Sequence, residues 1–466
     1  MKKFLILYLF LNLSSYVFSD FELTIYNQNI ALVKDKRKIE IPKGVQKIEF
    51  TDIAAFIDPT SVHFKSLTAP DKCFIVEQNF EYDLINRQKL LQKYIGKEIT
   101  LERNFDGKKE IIKGILLSIE GGIILKSDGK ILLNPSGEIS LPSLPEGLIT
   151  KPTLSWIIKN EKSGEHEVEI AYITKNIKWE ANYVTVTNKD DKYIDLTGWV
   201  TIDNKSGATY EDAKLKLVAG DIHQITTPVE RMYPLAKYEA ALKPIPEPQF
   251  REKEFFEYHL YTLQRKTTIK NNETKQIEFV SAFNIPVNKI YIYDGAKIDS
   301  ERYYSYTDKN YGADCNKKVN VMLEFRNSKE CNLGIPLPKG KMRVYKEDAE
   351  DKSLIFIGED YIDHTPKDEN LRIYIGDAFD ITGERVQTDF RKYDSSCKEW
   401  FKITIKNHKN EDIKVVVREH MYRWTNWEIF EKSADYEKID SRTIEFKIQV
   451  PKNSEKIVTY AVHYWW

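Results

Sequence analysis

The chain has 466 residues, which predicts about three domains and leaves ample length for a buried core. Its 70 lysines and arginines nearly balance 71 aspartates and glutamates, so no global basic excess favours a nucleic-acid-binding protein. Hydrophobic residues make up 41% of the chain and aromatic residues 12%, a content that excludes a largely disordered protein.

Residues 1–19 have the pattern of a signal peptide. Two lysines precede an apolar run over residues 4–13, and the small Ser19 follows at a position suited to cleavage. The run is shorter than the roughly 20 apolar residues that a membrane-spanning helix needs. We therefore predict export to the periplasm or the extracellular space, with cleavage near Ser19-Asp20.

Residues 20–81 are expected to form an N-terminal β domain, and residues 82–148 a separate small unit. Apolar residues at helical spacing predict a helix over 82–95. Five short strand patterns follow, separated by Asp-Gly and Gly-Gly turn signals, at 97–103, 109–119, 122–127, 130–133 and 138–141. This order predicts a small barrel of the SH3 or Sm type, which we interpret as a structural or protein-contact module.

Alternating apolar and polar residues dominate the rest of the chain. The clearest run is 443–450, where three large aliphatic residues and Phe446 share one face and polar residues the other. The pattern recurs at 168–173, 183–187, 319–325, 401–406, 414–418 and 458–466. The sequence is therefore predicted to be mainly β, a multidomain β-sandwich with immunoglobulin-like layers.

The C-terminal sandwich domain is predicted in two parts, residues 149–225 and 255–466. Between them, residues 226–254 hold five of the 17 prolines among charged residues. Proline stiffens a chain and cannot donate to a sheet ladder, so this segment is predicted to be a linker or a long exposed loop.

Four cysteines allow up to two disulfides in an oxidising compartment. Cys315 and Cys397 each precede a strand-like run and are the first candidates for a pair, with free thiols as the alternative. Their spacing matches no zinc motif, because no CxxC pair is present in the sequence.

Motifs of the common catalytic and cofactor sites are missing from the sequence. Residues 334–341 resemble a phosphate-binding loop, but Pro336 and Pro338 remove backbone donors that phosphate would need. No GxSxG, SxxK or HExxH motif is present. We predict no catalytic residues, cofactor, metal, nucleotide or nucleic-acid partner. An acid pair for glycoside hydrolysis is defined only in space, so a hydrolase stays an alternative.

Tyr422, Trp424 and Trp427 are the candidate ligand-binding residues. Closely spaced aromatic rings could stack against sugars in an exported protein, but the same spacing also fits core aromatics with one residue at the rim. The last run, 458–466, alternates down to a terminal aromatic residue as the last strand of outer-membrane barrels does. Several other strand patterns are shorter than the roughly 9–11 residues that a barrel strand needs.

Several segments resemble the family catalogued as domain of unknown function 4139, which is related to the mucoidy-inhibitor A-like proteins. These segments are Trp156, 171–183, 196–207, 217–221, 257–263, 334–340, 376–380, 406–409 and 458–460. The resemblance covers residues 150–466 and implies export and a β-rich fold. The family has no established activity, so no catalytic residue is transferred.

Residues of these motifs also have physical interpretations. Three glycines fit turns or close backbone approach, namely Gly198, Gly207 and Gly220. Three tryptophans fit anchors between packed β layers, namely Trp179, Trp199 and Trp427. Three polar residues fit caps of strand ends, namely Asn204, Asn407 and His408.

The leading hypothesis is an exported, non-enzymatic β-sandwich protein of the cell envelope that binds an envelope protein or a polysaccharide. Peripheral association with a membrane is compatible with it. The first alternative is an envelope hydrolase with an unrecognised carboxylate or metal site. The second is an outer-membrane β-barrel protein.

Overall fold

The computed structural model describes residues 19–82, 86–105, 108–143, 145, 148–220, 222, 249–296 and 306–466. The predicted signal peptide, apart from Ser19, and residues 226–248 of the proline-rich segment lie outside the described residues. The described chain divides into two compact units. Unit 1 comprises the residues up to Trp179, Ile202–Val218 and Thr262–Lys275. Unit 2 comprises Glu180–Thr201, residues 219–261 where described, and Gln276–Trp466.

The described residues fold into 29 strands and one α-helix, which confirms the mainly β prediction. The first elements are β1 (Asp20–Tyr26), β2 (Ile30–Ile41), β3 (Gly44–Phe50), β4 (His63–Ser66), β5 (Cys73–Glu81), α1 (Arg87–Lys93), β6 (Glu98–Phe105), β7 (Lys108–Ser118), β8 (Ile124–Ser127), β9 (Lys130–Leu133) and β10 (Glu138–Ser140).

The middle of the chain forms β11 (Thr153–Asn160), β12 (Gly164–Lys175), β13 (Ile177–Thr187), β14 (Tyr193–Asn204), β15 (Tyr210–Ala219), β16 (Phe250–Phe255), β17 (Tyr258–Leu263), β18 (Thr267–Ile269), β19 (Glu273–Asp294) and β20 (Lys318–Arg326). The last elements are β21 (Gly340–Glu347), β22 (Leu354–Ile362), β23 (Asn370–Lys392), β24 (Ser396–Asn407), β25 (Ile413–His420), β26 (Asn426–Lys432), β27 (Glu437–Lys438), β28 (Thr443–Val450) and β29 (Ser454–Trp465). Strand β16 occupies the end of the segment that was predicted to be a linker. Within the described residues, no helix has both the length and the apolar content to cross a membrane.

Unit 1 contains two packed sheets, one with the strand order β15-β1-β2-β12-β4 and one with the order β3-β11-β5. Trp156 of β11 is fully buried between them and donates from its Nε1 to Gln78 at 2.9 Å. Its ring lies 5.4 Å from that of Phe50 in its own sheet and 5.3 Å from that of Phe64 on β4. Aromatic packing across the two layers therefore holds this sandwich together.

Within unit 1, the described part of residues 82–148 forms α1 and a five-stranded antiparallel sheet. The sheet has the order β10-β6-β7-β8-β9, so all five predicted strands are confirmed. The helix is shorter than predicted and begins where the Asn86 side chain accepts from the Lys89 backbone N–H at 2.9 Å. Leu91 of the helix and Tyr94, which follows its last residue, are buried and share one apolar cluster with β6, β7 and β8.

Unit 2 contains a β-sandwich whose core lies between two groups of strands. One layer has the order β20-β23-β24-β29-β26, and in the other β25 pairs with β19 and β28. Phe446 of β28 packs against Tyr460 of β29, with ring centroids 5.8 Å apart across the core. The alternation predicted for 443–450 is confirmed, because its aliphatic residues and Phe446 are buried.

Four buried asparagines end strands in the same way, namely Asn160, Asn204, Asn327 and Asn407. In Asn407, the side-chain amide donates at 2.9–3.2 Å to the backbone carbonyls of Glu411, Val450 and Pro451. Its Oδ1 accepts from the Lys409 backbone N–H at 3.0 Å. The other three satisfy buried carbonyls around their own strand ends in the same manner. The capping role predicted for Asn204 and Asn407 is therefore confirmed.

Gly198 of β14 illustrates why one motif position takes glycine. A Cβ placed there would lie 2.5 Å from the Val280 side chain and 2.6 Å from the Phe279 ring. Both neighbours belong to β19, which packs directly against this position. The close approach of two strands therefore requires glycine at this point.

Candidate ligand-binding surface

The three aromatic residues proposed from the sequence all pack against the core of unit 2. The Tyr422 hydroxyl donates to a buried carboxylate at 3.1 Å. Trp424 contacts the rings of Tyr306 and Trp466, whose centroids lie 5.0 Å and 6.5 Å away. Trp427 donates from Nε1 to a backbone carbonyl at 2.9 Å, and its ring is covered by a lysine 4.7 Å from the centroid. The structure therefore places these rings at one end of the core, each in contact with its own neighbours.

Two ion pairs with fully buried side chains lie at this end of the core. Arg385 of β23 pairs with Glu419 of β25 at 2.8 Å, and Arg423 pairs with Glu399 of β24 at 2.7 Å. The Tyr460 hydroxyl donates to Glu419 at 2.5 Å. We call these five residues the buried ionic cluster. Each occupies a core-facing position in the alternation of its strand or, for Arg423, just beyond it.

Protonation in the buried ionic cluster follows from burial and from the paired charges. Burial opposes the charge on the two guanidinium groups, yet the pKa of Arg385 is raised by Glu419 and the pKa of Arg423 is raised by Glu399. Burial also raises the pKa of the Tyr460 hydroxyl. The two arginines are therefore charged at neutral pH, and the phenol is neutral.

The buried arginines also tie down the loop over residues 306–314. Arg423 and Arg385 donate to four backbone carbonyls of this loop at 2.6–3.0 Å, those of Tyr306, Asp308, Tyr311 and Gly312. The Asp308 carboxylate accepts from the backbone N–H of Asn310 at 2.8 Å. These contacts of the cluster join the loop to the core of unit 2.

Cys315 and Cys397, the suggested disulfide pair, are not joined in this structure. All four cysteines are free thiols. Cys397 is buried on β24, and burial raises the pKa of its thiol to about 11. Since the thiolate is the reactive form, Cys397 is an inert core residue at neutral pH.

In the layer that contains β23, β24, β29 and β26, the face that points away from the core carries a second group of aromatic residues. We call this group and its charged neighbours the outer aromatic surface. It comprises Trp400 on β24, Phe430 on β26, and His463 and Trp465 on β29, with five charged neighbours, Asp389, Arg391, Lys398, Glu428 and Glu431. The strand register aligns Arg391, Lys398, His463 and Glu428 in one row. A second row runs through Asp389, Trp400, Ala461 and Glu431.

Trp400 and Phe430 form the centre of this surface. Their rings meet edge to face with centroids 5.5 Å apart, and the Trp400 Nε1 donates to Glu431 at 3.2 Å. Arg391 lies 4.8 Å from the Trp400 centroid, and Lys398 lies 4.8 Å from the Phe430 centroid. These contacts fix both rings in position while Phe430 stays 37% exposed.

The histidine and tryptophan of β29 extend the surface toward the end of the strand. The His463 and Trp465 rings lie 5.5 Å apart in a tilted arrangement. Trp465 is 40% exposed, a large fraction for an indole within a described strand. His463 Nδ1 lies 3.3 Å from Glu428. Part of the Phe430 and Trp465 rings, together with charged hydrogen-bonding groups, is therefore open to a ligand on this face.

Trp400 was not among the candidate residues predicted from the sequence, although the alternation in β24 indicates that its side chain lies on the outer face. In β24, Phe401, Ile403 and Ile405 share the buried face, so alternation assigns Trp400 and Lys402 to the other face. A tryptophan out of phase with the core of its strand is a candidate for binding. The sequence did not indicate which strands lie beside β24, and these strands, β29 and then β26, supply the other rings.

Known proteins provide no assignment for this surface. No protein-family model matches the chain, and the search of curated proteins found no match. Among the described residues, no group of three or more histidine, cysteine, aspartate or glutamate side chains is placed to hold a metal ion.

Proposed function

We propose that this chain is an exported, non-enzymatic protein of the cell envelope, and that its outer aromatic surface binds a polysaccharide. The observation that carries the proposal is the set of rings and charged groups on the outer face of β23, β24, β29 and β26, in which Phe430 and Trp465 are exposed. Exposed aromatic patches on a folded protein mark interaction sites, because the fold itself gains little from them.

The chemistry of the surface suits a sugar chain. The C–H faces of a pyranose ring are apolar and pack on aromatic rings such as Trp465 and Phe430. Its hydroxyl groups need both donors and acceptors at the rim, and Lys398 and Glu428 supply one of each in the same row. A purely apolar partner would leave these charged groups without hydrogen bonds, at a free-energy cost.

The shape of the surface favours a polymer over a small molecule. Four neighbouring strands span roughly 14 Å, since adjacent strands lie about 4.8 Å apart. Small-molecule sites are concave and enclose most of their ligand. The rings of this surface instead lie on one outer sheet face, which fits an extended chain that leaves at both ends.

Two features of the sequence support the envelope location. The signal-peptide pattern of residues 1–19 favours export. The resemblance of residues 150–466 to the domain of unknown function 4139 family agrees with an exported β-rich protein. The proposed partner is therefore a glycan that an exported protein meets.

Co-sedimentation of the chain from Asp20 onward with insoluble cell-wall glycan tests the proposal. We expect Trp465→Ala and Trp400→Ala each to raise the apparent dissociation constant at least about tenfold, since an aromatic contact at a binding centre contributes about 1.4 kcal/mol or more. Phe356→Ala on β22 is the matched control, because this ring is 51% exposed and also packs edge to face on a neighbour. Equal retention of all three variants and the unmodified chain would overturn the proposal.

A further inference from the structure

The outer face of the small five-stranded sheet carries a set of exposed aliphatic side chains. Five of them are 39–73% exposed, namely Ile111, Ile115, Leu117, Ile131 and Leu133. The first three lie on β7 and the last two on β9. Exposed aliphatic residues scattered singly need no explanation, but five on two strands of one sheet do.

The strand register places four of these residues on one face, and Leu117 lies at the bulge where β7 pairs with β8. Ile115 on β7 lies opposite Lys126 on β8, which in turn lies opposite Ile131 on β9. The neighbouring residues Leu116 and Leu125 point the other way and are buried in the core beneath α1. The exposed aliphatic residues therefore form a second apolar face, with the first already covered.

Charges of opposite sign flank this apolar face. Glu98 on β6 lies opposite Ile115 in the register, so one row reads Glu98, Ile115, Lys126 and Ile131. Glu98 and Lys126 are both exposed. The apolar column of β7 thus separates a carboxylate on one side from an ammonium group on the other. When a second copy of this face is laid on the first with its two sides exchanged, each carboxylate faces an ammonium group.

We infer that this face packs against the same face of a second copy of the chain, around a two-fold axis parallel to β7. Such a rotation keeps each row at its level and exchanges the two sides of β7. It places Ile115 of one protomer against Ile115 of its partner and Glu98 of one protomer opposite Lys126 of its partner. The interface is isologous, as a two-fold dimer requires.

The balance of contacts predicts a reversible dimer. Packing the β7 aliphatic residues against their copies removes apolar surface from water, and two Glu98–Lys126 contacts fix the register. Lys113 also lies on β7, so its two copies approach each other near the axis and weaken the association. Strand β9 at the sheet edge brings Ile131 and Leu133 to the rim of the interface.

Sedimentation velocity of the chain from Asp20 onward, from nanomolar to high micromolar concentration, tests this inference. We expect a monomer–dimer equilibrium that Ile115→Glu weakens at least about tenfold, since it places two carboxylates face to face at the axis in place of two aliphatic side chains. Val76→Glu on β5 is the matched control, because Val76 is 61% exposed and lies outside the small sheet. This control should leave the dimer unchanged.

Charge reversal identifies the axis. Glu98→Lys and Lys126→Glu should each weaken the dimer, and the double variant should restore it, because the pair is rebuilt across the interface. The inference is overturned if the unmodified chain stays monomeric at every concentration. It is also overturned if a dimer forms that neither Ile115→Glu nor the single charge reversals weaken, or if the double reversal fails to restore it.

Discussion

The layer that contains β23, β24 and β29 has an arginine–carboxylate pair on each of its two faces, and the two pairs have different environments. On the inner face, Arg385 and Glu419 pair with no exposed side-chain surface. On the outer face, the Arg391 and Asp389 side chains pair at 2.9 Å while 61% and 44% exposed. Inner charges are fixed by several hydrogen bonds each, whereas outer charges stay hydrated. Burial therefore decides whether a charged pair supports the fold or is free to meet a ligand.

The largest effect on stability is expected when one charge of the inner pair is removed. Glu419→Ala leaves Arg385 buried without its counter-ion, which should lower the unfolding free energy of unit 2 by about 3–5 kcal/mol. Native-state hydrogen exchange of the β24 and β29 amides measures this loss directly. Glu428→Ala on the outer surface is the matched control and should change the same amides little. Comparable effects of the two substitutions would contradict the structural role of the inner pair.

Removal of a strand-end asparagine should have the next largest effect. Asn407→Ala leaves the carbonyls of Glu411, Val450 and Pro451 without their side-chain donor, so we expect a loss of about 2–3 kcal/mol. Denaturant unfolding followed by hydrogen exchange at β24 gives the value. Asn410→Ala, on an exposed residue of the same turn, should change stability by less than about 0.5 kcal/mol. An equal effect at Asn410 would show that the turn sequence, not the buried amide, is responsible.

A pH titration tests the His420–Asp294 pair, whose side chains are only partly exposed to solvent. Asp294 accepts from His420 at 2.9 Å and raises the pKa of this imidazole above 6.5, against the opposing effect of burial. A raised folded-state pKa means that the stabilisation is complete below pH 6.5 and is lost as the pH rises through the folded value. Hydrogen exchange at β25 should therefore accelerate beyond its intrinsic rate as the pH rises above 6.5.

The control for this titration is a histidine substitution. His420→Gln should abolish the extra acceleration, whereas His408→Gln, on an exposed residue beyond β24, should preserve it. If both variants behave like the unmodified chain, the His420–Asp294 pair does not couple protonation to stability.

The smallest change in stability is expected on the outer face. Arg391→Ala breaks an exposed ion pair, so the unfolding free energy should change by less than about 1 kcal/mol. The same substitution removes the cation over Trp400 and should lower retention on insoluble cell-wall glycan. Thermal unfolding and co-sedimentation on one preparation give both values. A large loss of stability with unchanged retention would reverse the roles assigned to the two faces.

Much of the fold could be predicted from the sequence, because strand alternation is a local signal. The run 443–450 shows this, and so do the five strands of the small unit. Partners in space could not be predicted. Alternation places Glu399 on the buried face of β24, but its counter-ion Arg423 lies beyond a different strand. The outer aromatic surface could not be predicted for the same reason, since its rings come from three strands.

The strand-end asparagines have a consequence for the order of folding. The Asn407 amide bonds to Val450 and Pro451, which lie 43 and 44 residues further along the chain. The Asn204 amide reaches Lys270 over 66 residues. Such contacts form only after distant hairpins have docked, and their entropy of closure opposes them earlier in the transition. We expect substitutions at these asparagines to accelerate unfolding and to leave the folding rate nearly unchanged, so that these residues set the lifetime of the native state.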